Sequence, residues 1–379
     1  MKVAYVSTCD IFGPTNNGGA QCSHRNLYLL KQALGEENVF ICIVTKNRED
    51  LSKLTDNMTV FFSNCDNNFY SIINSLLLRL SFNRKVETSI LNYIVKLGCS
   101  HVFIETSKLG KLQKRLPKEI KQIIFMQNIE KDYIKNQLSL RPEFLLLVLP
   151  TIVNESTAVK NADIIISLNS RDANQLKKYY RRNPDLVLPI TFDDSFTVPG
   201  VEVCRPSSLQ LLFVGSLFPP NEYGVVWFAK EVMPHINADF TVVGKDFEKI
   251  GKRLSRNNIK IIGTVDDLAP YYHCADAVVS PILFGDGMKV KTAEALMYGK
   301  PMFATNEALE GYEVEGQKNI FRCNTAQEFI ETINSYAAKS PYISFDEDIR
   351  TLFLGKYHTP CYLPVLREIL ISSIGIGDI

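Results

Sequence analysis

The chain has 379 residues, of which 46% are apolar and 22% charged, a composition that is typical of soluble globular proteins and excludes a disordered or fibrous chain. This length exceeds one ordinary hydrophobic core and predicts two domains. The net charge of +1 conceals an asymmetry, because residues 1–190 carry 25 Lys and Arg against 17 Asp and Glu, whereas residues 191–379 carry 17 against 24. The basic first half could contact an anionic lipid surface or a phosphorylated acceptor, or it could be an ordinary surface that faces an acidic partner domain.

Several classes of segment are not expected. The first residues, MKVAYVSTCD, predict a β-strand rather than a signal peptide. The longest apolar run, residues 144–153, is too short to span a bilayer and contains Pro150, so it predicts a buried helix. Nine cysteines without a CxxC pair indicate reduced thiols in a cytosolic protein. Five histidines without HxxH or HxxxH spacing suggest no metal site.

Short apolar, β-branched runs alternate with helix-sized segments along the chain. In the first half they are KVAYVST, VFICIVT, HVFIET, QIIFMQN and ADIIISLN, and in the second half LQLLFVGSL, DFTVVG, IKIIGTV, ADAVVSPIL and PMFAT. This order predicts an α/β protein with parallel sheets that helices cover on both faces. Residues 191–208, rich in Pro, Ser and Asp, interrupt the alternation and predict a domain boundary near residue 200.

Ligands of open parallel sheets bind beyond the carboxyl ends of the strands, so the loops that follow the strands are candidate sites. In the first half, Gly18 and Gly19 precede a helix and would let the backbone approach an anion, but a lone Gly-Gly pair is weak evidence and a flexible turn is the favoured alternative. Gln127, Asn128 and Glu130 follow the fourth predicted strand. A helix start with Asn128 as its N-cap is the alternative interpretation.

Two loops of the second half are also candidates. Gly215, Ser216 and Asn221 follow the strand LQLLFVGSL, and this segment either binds phosphate oxygens or is a capped helix start with proline in its first turn. Asp266 and Asp267 follow the strand IKIIG, where a role in capping the next helix explains them fully.

The stretch FGDGMKVKTAEALMYGKP raises a sharper question. It predicts a helix from about Met288 to Tyr298, with Lys289 and Lys291 at its positive end and Glu294 one turn later. Lysines at this end are disfavoured by about 0.3–1 kcal/mol each unless an anion is present, and a diphosphate would supply that anion. The alternative is a solvent-facing Lys291–Glu294 ion pair worth about 0.2–0.5 kcal/mol.

The stretch FGDGMKVKTAEALMYGKPMFATNEALEGY resembles the donor-site region of family 4 glycosyltransferases of the GT-B fold, whose diagnostic pattern is two acids separated by seven residues. Asp286 and Glu294 have that spacing. The similarity continues through FVGSLFPPNEYGVVWFAKEVMP, FTVVG and IIGTVDDLAPYYHCADAVVSP, and in the first half through NNGGAQCSHRNLYLLKQAL, QNIEKDY and ADIIISLNSRDANQL. It covers nearly the whole chain and is stronger in the second half.

The resemblance implies two Rossmann-like domains that face a central cleft. Residues 1–195 would bind the acceptor, residues 196–350 would bind the nucleotide sugar, and residues 351–379 would form a helical segment that crosses back to the first domain. The implied reaction is a retaining transfer from a UDP- or GDP-sugar to a glycan or lipid-linked acceptor, in cytoplasmic assembly of surface polysaccharide or glycoconjugates. Neither a metal nor another cofactor is implied, nor is nucleic acid a partner, and the basic first half could add peripheral contact with the membrane.

The resemblance also implies roles for individual residues. Glu294 would hold the ribose, the loop with Val265 and Asp266 would lie near the base, and Gly19 would let the first loop approach the diphosphate. The catalytic candidates are Lys291, Asp286 and Glu130. The remaining donor-binding candidates are Gly18, Gly215, Ser216, Asn221, Gly285, Gly287, Met288 and Lys289, and the acceptor-binding candidates are Gln127 and Asn128.

This chain departs from the family pattern at several positions. Ser216 and Asn221 stand where many members carry an Arg and a Lys that grip the diphosphate, and Lys289 and Lys291 would replace those charges. Gln127 stands where relatives have a His, and an amide cannot act as a general base. The leaving phosphate, Glu130 or a backbone carbonyl would then take the acceptor's proton. Two alternatives remain, namely a nucleotide-sugar binding protein with impaired catalysis and another GT-B enzyme such as a sugar-nucleotide epimerase.

Overall fold

The computed structural model describes residues 1–8, 18–45, 55–63, 68–138, 142–197, 208–254, 256–285, 287–339 and 343–372. The chain divides into two compact units. Met1–Ile190 and Tyr362–Ile379 form the first unit, and Thr191–Cys361 form the second. The domain boundaries implied above, 195/196 and 350/351, and the roles given to the domains stay predictions.

The first unit is built on a seven-stranded parallel sheet. Its strands are β1 (Val3–Ser7), β2 (Val39–Thr45), β3 (Met58–Phe62), β4 (His101–Ile104), β5 (Lys121–Met126), β6 (Ile164–Ser167) and β7 (Leu186–Val187). They lie in the order β3-β2-β1-β4-β5-β6-β7, and every pairing is parallel. Every residue of β1 is buried, as expected for a central strand that is covered on both faces.

The described residues of this unit form eight helices: α1 (Gly18–Leu34), α2 (Asn68–Leu76), α3 (Arg84–Leu97), α4 (Gly110–Gln113), α5 (Glu130–Leu138), α6 (Leu145–Asn161), α7 (Ser170–Tyr180) and, from the end of the chain, α14 (Leu363–Ser372). Helix α14 packs on α1, where Arg367 Nη2 donates to the Gln32 carbonyl oxygen at 2.7 Å. Short 3-10 helices cover Glu36–Asn38, Ser107–Leu109 and Pro142–Phe144.

The second unit is built on a six-stranded parallel sheet. Its strands are β8 (Leu209–Val214), β9 (Ala238–Val243), β10 (Ile259–Ile262), β11 (Ala277–Ser280), β12 (Met302–Ala304) and β13 (Ile320–Arg322), in the order β10-β9-β8-β11-β12-β13. Its helices are α8 (Pro219–Glu231), α9 (Gly251–Leu254), α10 (Ala269–Cys274), α11 (Val290–Met297), α12 (Ala326–Ala337) and α13 (Glu347–Lys356). Short 3-10 helices cover Met233–His235, Phe247–Ile250 and Thr359–Tyr362.

The predicted fold class, α/β with two Rossmann-like parallel-sheet domains, is confirmed. The apolar runs identified ten strands, and the three strands they missed are β3, β7 and β13. Each of the three lies at the edge of its sheet, and no residue of β3 is fully buried. β7 and β13 are only two and three residues long, too short to form a recognisable apolar run, whereas the edge strand β10 was identified although none of its residues is fully buried.

The strand order of each sheet reverses at its first strand, between β1 and β4 and between β8 and β11. Loops that leave the carboxyl ends of such a strand pair flank a crevice, which is the usual ligand position in this architecture. In the second unit these are the loops after β8 and β11. Among the described residues, we find no helix with both the length and the apolar character needed to cross a membrane.

Candidate functional site

Helix α11 begins after the glycine-containing loop that leaves β11. Gly287 has φ of 66°, a left-handed conformation that glycine adopts without steric cost. The N-cap residue, Lys289, makes no side-chain capping hydrogen bond, and the first turn of α11 contains no acidic residue. The helix therefore presents its positive end with no carboxylate of its own to compensate it.

Lys291 lies against the end of β8. Its Nζ donates to Asn221 Oδ1 and sits 4.8 Å from the centroid of the Phe213 ring. The Asn221 amide in turn donates to the Ser216 carbonyl oxygen at 2.8 Å, which fixes the loop after β8. A Cβ at Gly215 would lie 3.0 Å from Asn221 Nδ2 and 3.1 Å from Lys291 Cε, so a larger residue would require these two side chains to shift.

The charge of Lys291 is poorly compensated. The pKa of its ammonium is lowered to about 7, chiefly by burial and then by the charge of Lys289, while Glu294 acts in the opposite direction. Within the described parts of the chain, no carboxylate forms an ion pair with Lys291. A half-buried lysine without a counter-ion at a positive helix end is a site where an anionic ligand would be stabilised.

Lys289 has a different environment. Its Nζ donates to Glu307 Oε1 at 2.6 Å and to the Gly287 carbonyl oxygen at 2.7 Å, and the Tyr312 hydroxyl donates to its backbone oxygen at 2.7 Å. Lys289 and Lys291 are equivalent in the sequence pattern, but in the structure they have different partners. Lys289 closes the loop before α11, whereas Lys291 lies beside Gly215 and Asn221.

Glu294, one turn further along α11, is held by an aromatic pair that sequence reasoning did not identify. Its Oε2 accepts from the Tyr272 hydroxyl at 3.3 Å, and the Tyr272 ring stacks on Tyr298 with centroids 4.4 Å apart. Burial raises the pKa of Glu294 to about 7, against the opposing effects of Tyr272 and Lys291. Tyr272 is fully buried and Tyr298 is 4% exposed.

The interpretation of Lys291 and Glu294 as a solvent-facing ion pair is wrong. Each residue is half-buried and bonds to a different element, Lys291 to α8 and Glu294 to α10. Ala295 and Tyr298, the neighbours of Glu294 on the same helix, are buried as well. Helix α11 is enclosed on nearly all sides, so its charged residues occupy an interior position.

The other donor-site candidates lie in loops of the same unit. Ser216 is exposed after β8, and Val265 and Asp266 follow β10, with Val265 half-buried and Asp266 exposed. Gly285 and Met288 flank the turn before α11, where Met288 is buried. Asp286, the first acid of the two-acid pattern, lies outside the described residues, and its catalytic role stays a prediction.

In the first unit, Glu130 is the first residue of α5 and lies in a buried polar cluster at the carboxyl ends of β4 and β5. Its Oε2 is 3.1 Å from Lys108 Nζ. Burial raises the pKa of Glu130, whereas Lys108 lowers it. The backbone N–H of Glu130 donates to Glu155 Oε2, and the Tyr180 hydroxyl donates to Glu155 Oε1.

Glu155 explains the start of α5 better than the expected N-cap does. The helix begins at Glu130, two residues after Asn128, and a carboxylate from α6 accepts the first helical N–H. Burial raises the pKa of Glu155 to about 7. Its position in the polar segment NES of an otherwise apolar run was the only sequence signal for this role.

The remaining first-unit candidates lie at the starts of helices. Gln127 and Asn128 are half-buried after β5, and α1 begins at Gly18 and Gly19, whereas residues 9–17 of the loop before it lie outside the described residues. A second buried carboxylate, Glu105, follows β4 and went unnoticed in the sequence. It accepts from Ser7 Oγ at 2.8 Å, Ser23 Oγ at 2.5 Å and Asn26 Nδ2 at 3.2 Å.

The comparisons with known proteins agree with this architecture. Residues 208–339 match the family model described as Glycosyl transferases group 1. That range contains α8, α10 and α11, and thus Asn221, Tyr272, Lys291 and Glu294. No curated protein matches the chain.

Solved structures of glycosyltransferases resemble the chain over its whole length. Sucrose-phosphate synthase from Thermosynechococcus elongatus has a TM-score of 0.75 at 13% identity, covering 98% of both chains. Anabaena HepE in complex with UDP and glucose has a TM-score of 0.67 at 13% identity, covering 98% of this chain and 100% of that one. The lipopolysaccharide outer core galactosyltransferase WaaB has a TM-score of 0.67 at 13% identity, covering 99% and 100%.

The chain thus has the fold of the GT-B glycosyltransferases. Its second unit carries the match to the group 1 glycosyl transferase model, around the Lys291 and Glu294 site.

Proposed function

We propose that this protein is a retaining glycosyltransferase that moves a sugar from a UDP- or GDP-sugar to a glycan or glycolipid-type acceptor. The observation that carries the proposal is the Lys291 ammonium, which lies half-buried at the positive end of α11 without a carboxylate partner among the described residues. A nucleoside diphosphate supplies the missing negative charge. The match of residues 208–339 to a glycosyltransferase model supports the same ligand class.

Within this proposal the second unit binds the donor. Lys291 and the amides at the start of α11 contact the diphosphate, and Asn221 orients Lys291 through its Oδ1. Glu294 accepts from the ribose hydroxyls, and its Tyr272 partner keeps the carboxylate in place. UDP is the first nucleotide to test, because structures of HepE contain UDP or UDP-glucose.

The chemistry assigned to this site is stabilisation of a leaving group. As the bond between the anomeric carbon and the phosphate oxygen breaks, negative charge grows on the diphosphate, and Lys291 with the helix amides offsets it. In a same-face displacement the leaving phosphate oxygen takes the proton of the acceptor hydroxyl. Glu130 is buried and paired with Lys108, so we assign it to the acceptor side without making it the proton acceptor.

The acceptor is proposed to bind in the first unit, near Gln127, Asn128 and Glu130. Surface polysaccharide or glycoconjugate assembly is the proposed context, which the resemblance to WaaB, a lipopolysaccharide galactosyltransferase, supports. A cytoplasmic location and a reaction without metal belong to the same proposal.

The test is calorimetric titration of UDP, GDP and ADP into the wild-type protein and the Lys291→Met variant. A lost hydrogen bond to a charged group is worth about 1.5–3 kcal/mol, so the variant should bind the preferred diphosphate about 10- to 150-fold more weakly. Equal affinity in both proteins would exclude Lys291 from the diphosphate site. Absence of binding by all three nucleotides would contradict the donor proposal itself.

Measurements of turnover distinguish the proposed glycosyltransferase from the two alternative functions, an impaired binding protein and an epimerase. Release of UDP or GDP from the matching nucleotide sugar without an acceptor indicates transfer to water and contradicts a catalytically impaired binding protein. Conversion of the donor into its epimer would instead indicate an epimerase.

A further inference from the structure

The segment that opens the second unit is fixed at its start. Residues 191–197, which we call the entry segment, follow directly on Ile190, the last residue of the first unit before the boundary. The Phe192 backbone N–H donates to the Tyr357 carbonyl oxygen at 2.9 Å, and the Phe192 carbonyl oxygen accepts from the Thr359 N–H at 2.9 Å. The entry segment is therefore bonded to the last part of the same unit.

Phe196 of the entry segment lies in an aromatic cluster. Its ring stacks on the Phe345 ring with centroids 5.6 Å apart and meets the Tyr298 ring edge-on at 5.9 Å. The Arg350 guanidinium lies 4.7 Å from the Phe196 centroid, and its Nη2 donates to the Asp194 carboxylate. The half-buried Phe196 ring is thus held by three other side chains of its own unit.

A series of contacts leads from Phe196 to Glu294. Tyr298, which Phe196 contacts, stacks on Tyr272 with centroids 4.4 Å apart and the ring planes 3° from parallel. The Tyr272 hydroxyl donates to Glu294 Oε2 at 3.3 Å. Tyr272 is fully buried and Tyr298 is 4% exposed, so both rings lie in a close-packed interior where neither moves without its neighbour.

The Glu294 carboxylate depends on these contacts for its placement. Within the described parts of the chain, the Tyr272 hydroxyl is the one group that hydrogen-bonds to it. An ionised carboxylate accepts about four hydrogen bonds, so Glu294 keeps acceptor capacity for the hydroxyl groups of a ligand. Because a single bond of 3.3 Å restrains a carboxylate weakly, the packing of Tyr272 sets where the carboxylate lies.

We propose that Phe196 is a positioning residue for nucleotide binding. Its ring braces Tyr298 and Tyr272, and these hold Glu294 where the carboxylate meets the ribose hydroxyls. The inference rests on the proposed function, in which Glu294 accepts from the ribose. Because Phe196 belongs to the entry segment, nucleotide binding and the order of this segment influence each other, and such coupling is reciprocal.

The first test is calorimetric titration of UDP and of 2′,3′-dideoxy-UDP, which lacks both ribose hydroxyls, into the wild type and the Phe196→Ala variant. Wild type should bind UDP about tenfold or more tightly than the dideoxy nucleotide, because the latter cannot donate to the charged carboxylate. In Phe196→Ala this ratio should fall to about threefold or less, while the affinity for the dideoxy nucleotide stays within about twofold of wild type. If GDP is the preferred nucleotide, GDP and 2′,3′-dideoxy-GDP take their place.

Two further variants separate positioning from packing. Phe196→Tyr keeps the ring and should keep the wild-type ratio. The matched control is Phe321→Ala, because Phe321 is likewise half-buried and stacks on Phe303 with centroids 5.1 Å apart, outside the contacts that lead to Glu294. Its loss should lower the Tm as Phe196→Ala does, and the ratio should not change.

The outcomes are distinguishable. Equal weakening of both nucleotides by Phe196→Ala overturns the proposal, as does an unchanged ratio or an equal fall in Phe321→Ala. Binding of no nucleotide by the wild type would instead contradict the donor proposal. A wild-type ratio of about one would remove the ribose contact of Glu294 and the positioning role with it.

Hydrogen exchange of the wild type tests the proposal even if Phe196→Ala does not fold. Saturating UDP should slow exchange of residues 192–197 by about threefold or more, because the bound ribose orders the contacts from Glu294 to Phe196. Saturating 2′,3′-dideoxy-UDP, which leaves Glu294 without its ligand, should slow exchange less. Equal protection by both nucleotides, or no protection by UDP, overturns the proposal.

Discussion

Replacing Lys291 with methionine should make the unliganded protein more stable while weakening diphosphate binding. The side chain is half-buried, its pKa is lowered to about 7 chiefly by burial, and no described carboxylate pairs with it. Holding this charge therefore costs free energy unless an anion is bound. Methionine keeps an unbranched side chain of similar length without the charge.

The magnitude follows from the lysine pKa, which is ordinarily 10.5. By linkage, lowering this pKa from 10.5 to about 7 on folding reduces the unfolding free energy of the wild type by about 4 kcal/mol at pH 7. Methionine also leaves Asn221 Oδ1 without its donor, which costs about 1–3 kcal/mol. The expected net gain is about 1–3 kcal/mol, or about 2–12 °C in the Tm of a unit of this size.

The assay is calorimetric unfolding across pH, with Lys289→Met as the matched control. Lys289 donates to Glu307 and to the Gly287 carbonyl oxygen, so its loss should lower the Tm. Because the folded pKa of Lys291 lies below the unfolded value, the unfolded chain binds more protons between pH 7 and 10.5, and wild-type stability should rise over that range. Lys291→Met should lack this contribution.

Two results would refute the reasoning. A Tm of Lys291→Met at or below that of wild type would contradict the interpretation of Lys291 as an uncompensated charge. Equal pH dependence of stability in wild type and variant would contradict the lowered pKa.

Three further predictions concern the same unit. Glu294→Gln should weaken nucleotide binding by about tenfold or more in calorimetry, since the ribose loses a charged acceptor, and unchanged affinity would exclude that contact. UDP binding at pH 8 should be accompanied by uptake of a proton, because a bound diphosphate raises the pKa of Lys291. Titrations in buffers of different ionisation enthalpy measure this uptake. Identical binding enthalpies in all buffers would contradict it. Gly224→Ala should lower the unfolding free energy by about 1–3 kcal/mol, because its Cβ would meet the Pro281 carbonyl oxygen at 2.1 Å, whereas the control Gly251→Ala has no atom within 4 Å and should not destabilise.

The sequence identified ten of the thirteen strands found in the described residues, and the loop that carries the candidate site. Both successes rest on local information. A buried parallel strand is a short continuous apolar run, and the FGDGMKVK loop combines glycines with charges that a helix start disfavours. The strands β7 and β13 were missed because two and three residues do not form such a run, and β3 was missed although it is as buried as the edge strand β10, which was identified.

The partners of the charged residues could not be predicted from the sequence in the same way. Lys289 and Lys291 are two positions apart, yet one binds Glu307 and the other binds Asn221, seventy positions away in sequence. Glu294 bonds to Tyr272 instead of Lys291. Local spacing describes only neighbours on the same helix, whereas these partners come from other elements that packing brings together.

For helix α6 the sequence predicted the secondary structure correctly but not which of its residues are buried. The apolar run 144–153 predicted a buried helix, and the segment is helical over Leu145–Asn161, but Leu145, Leu146 and Leu149 face outward. The inner face instead carries Glu155, which accepts the first N–H of α5 and the Tyr180 hydroxyl. By itself the sequence determined the α/β alternation and the loop with Lys291, because both follow from periodicity and local charge. Tertiary structure alone decided which polar groups are buried and which apolar groups are exposed. Burial depends on the elements that surround a helix, and the composition of the helix does not specify those elements.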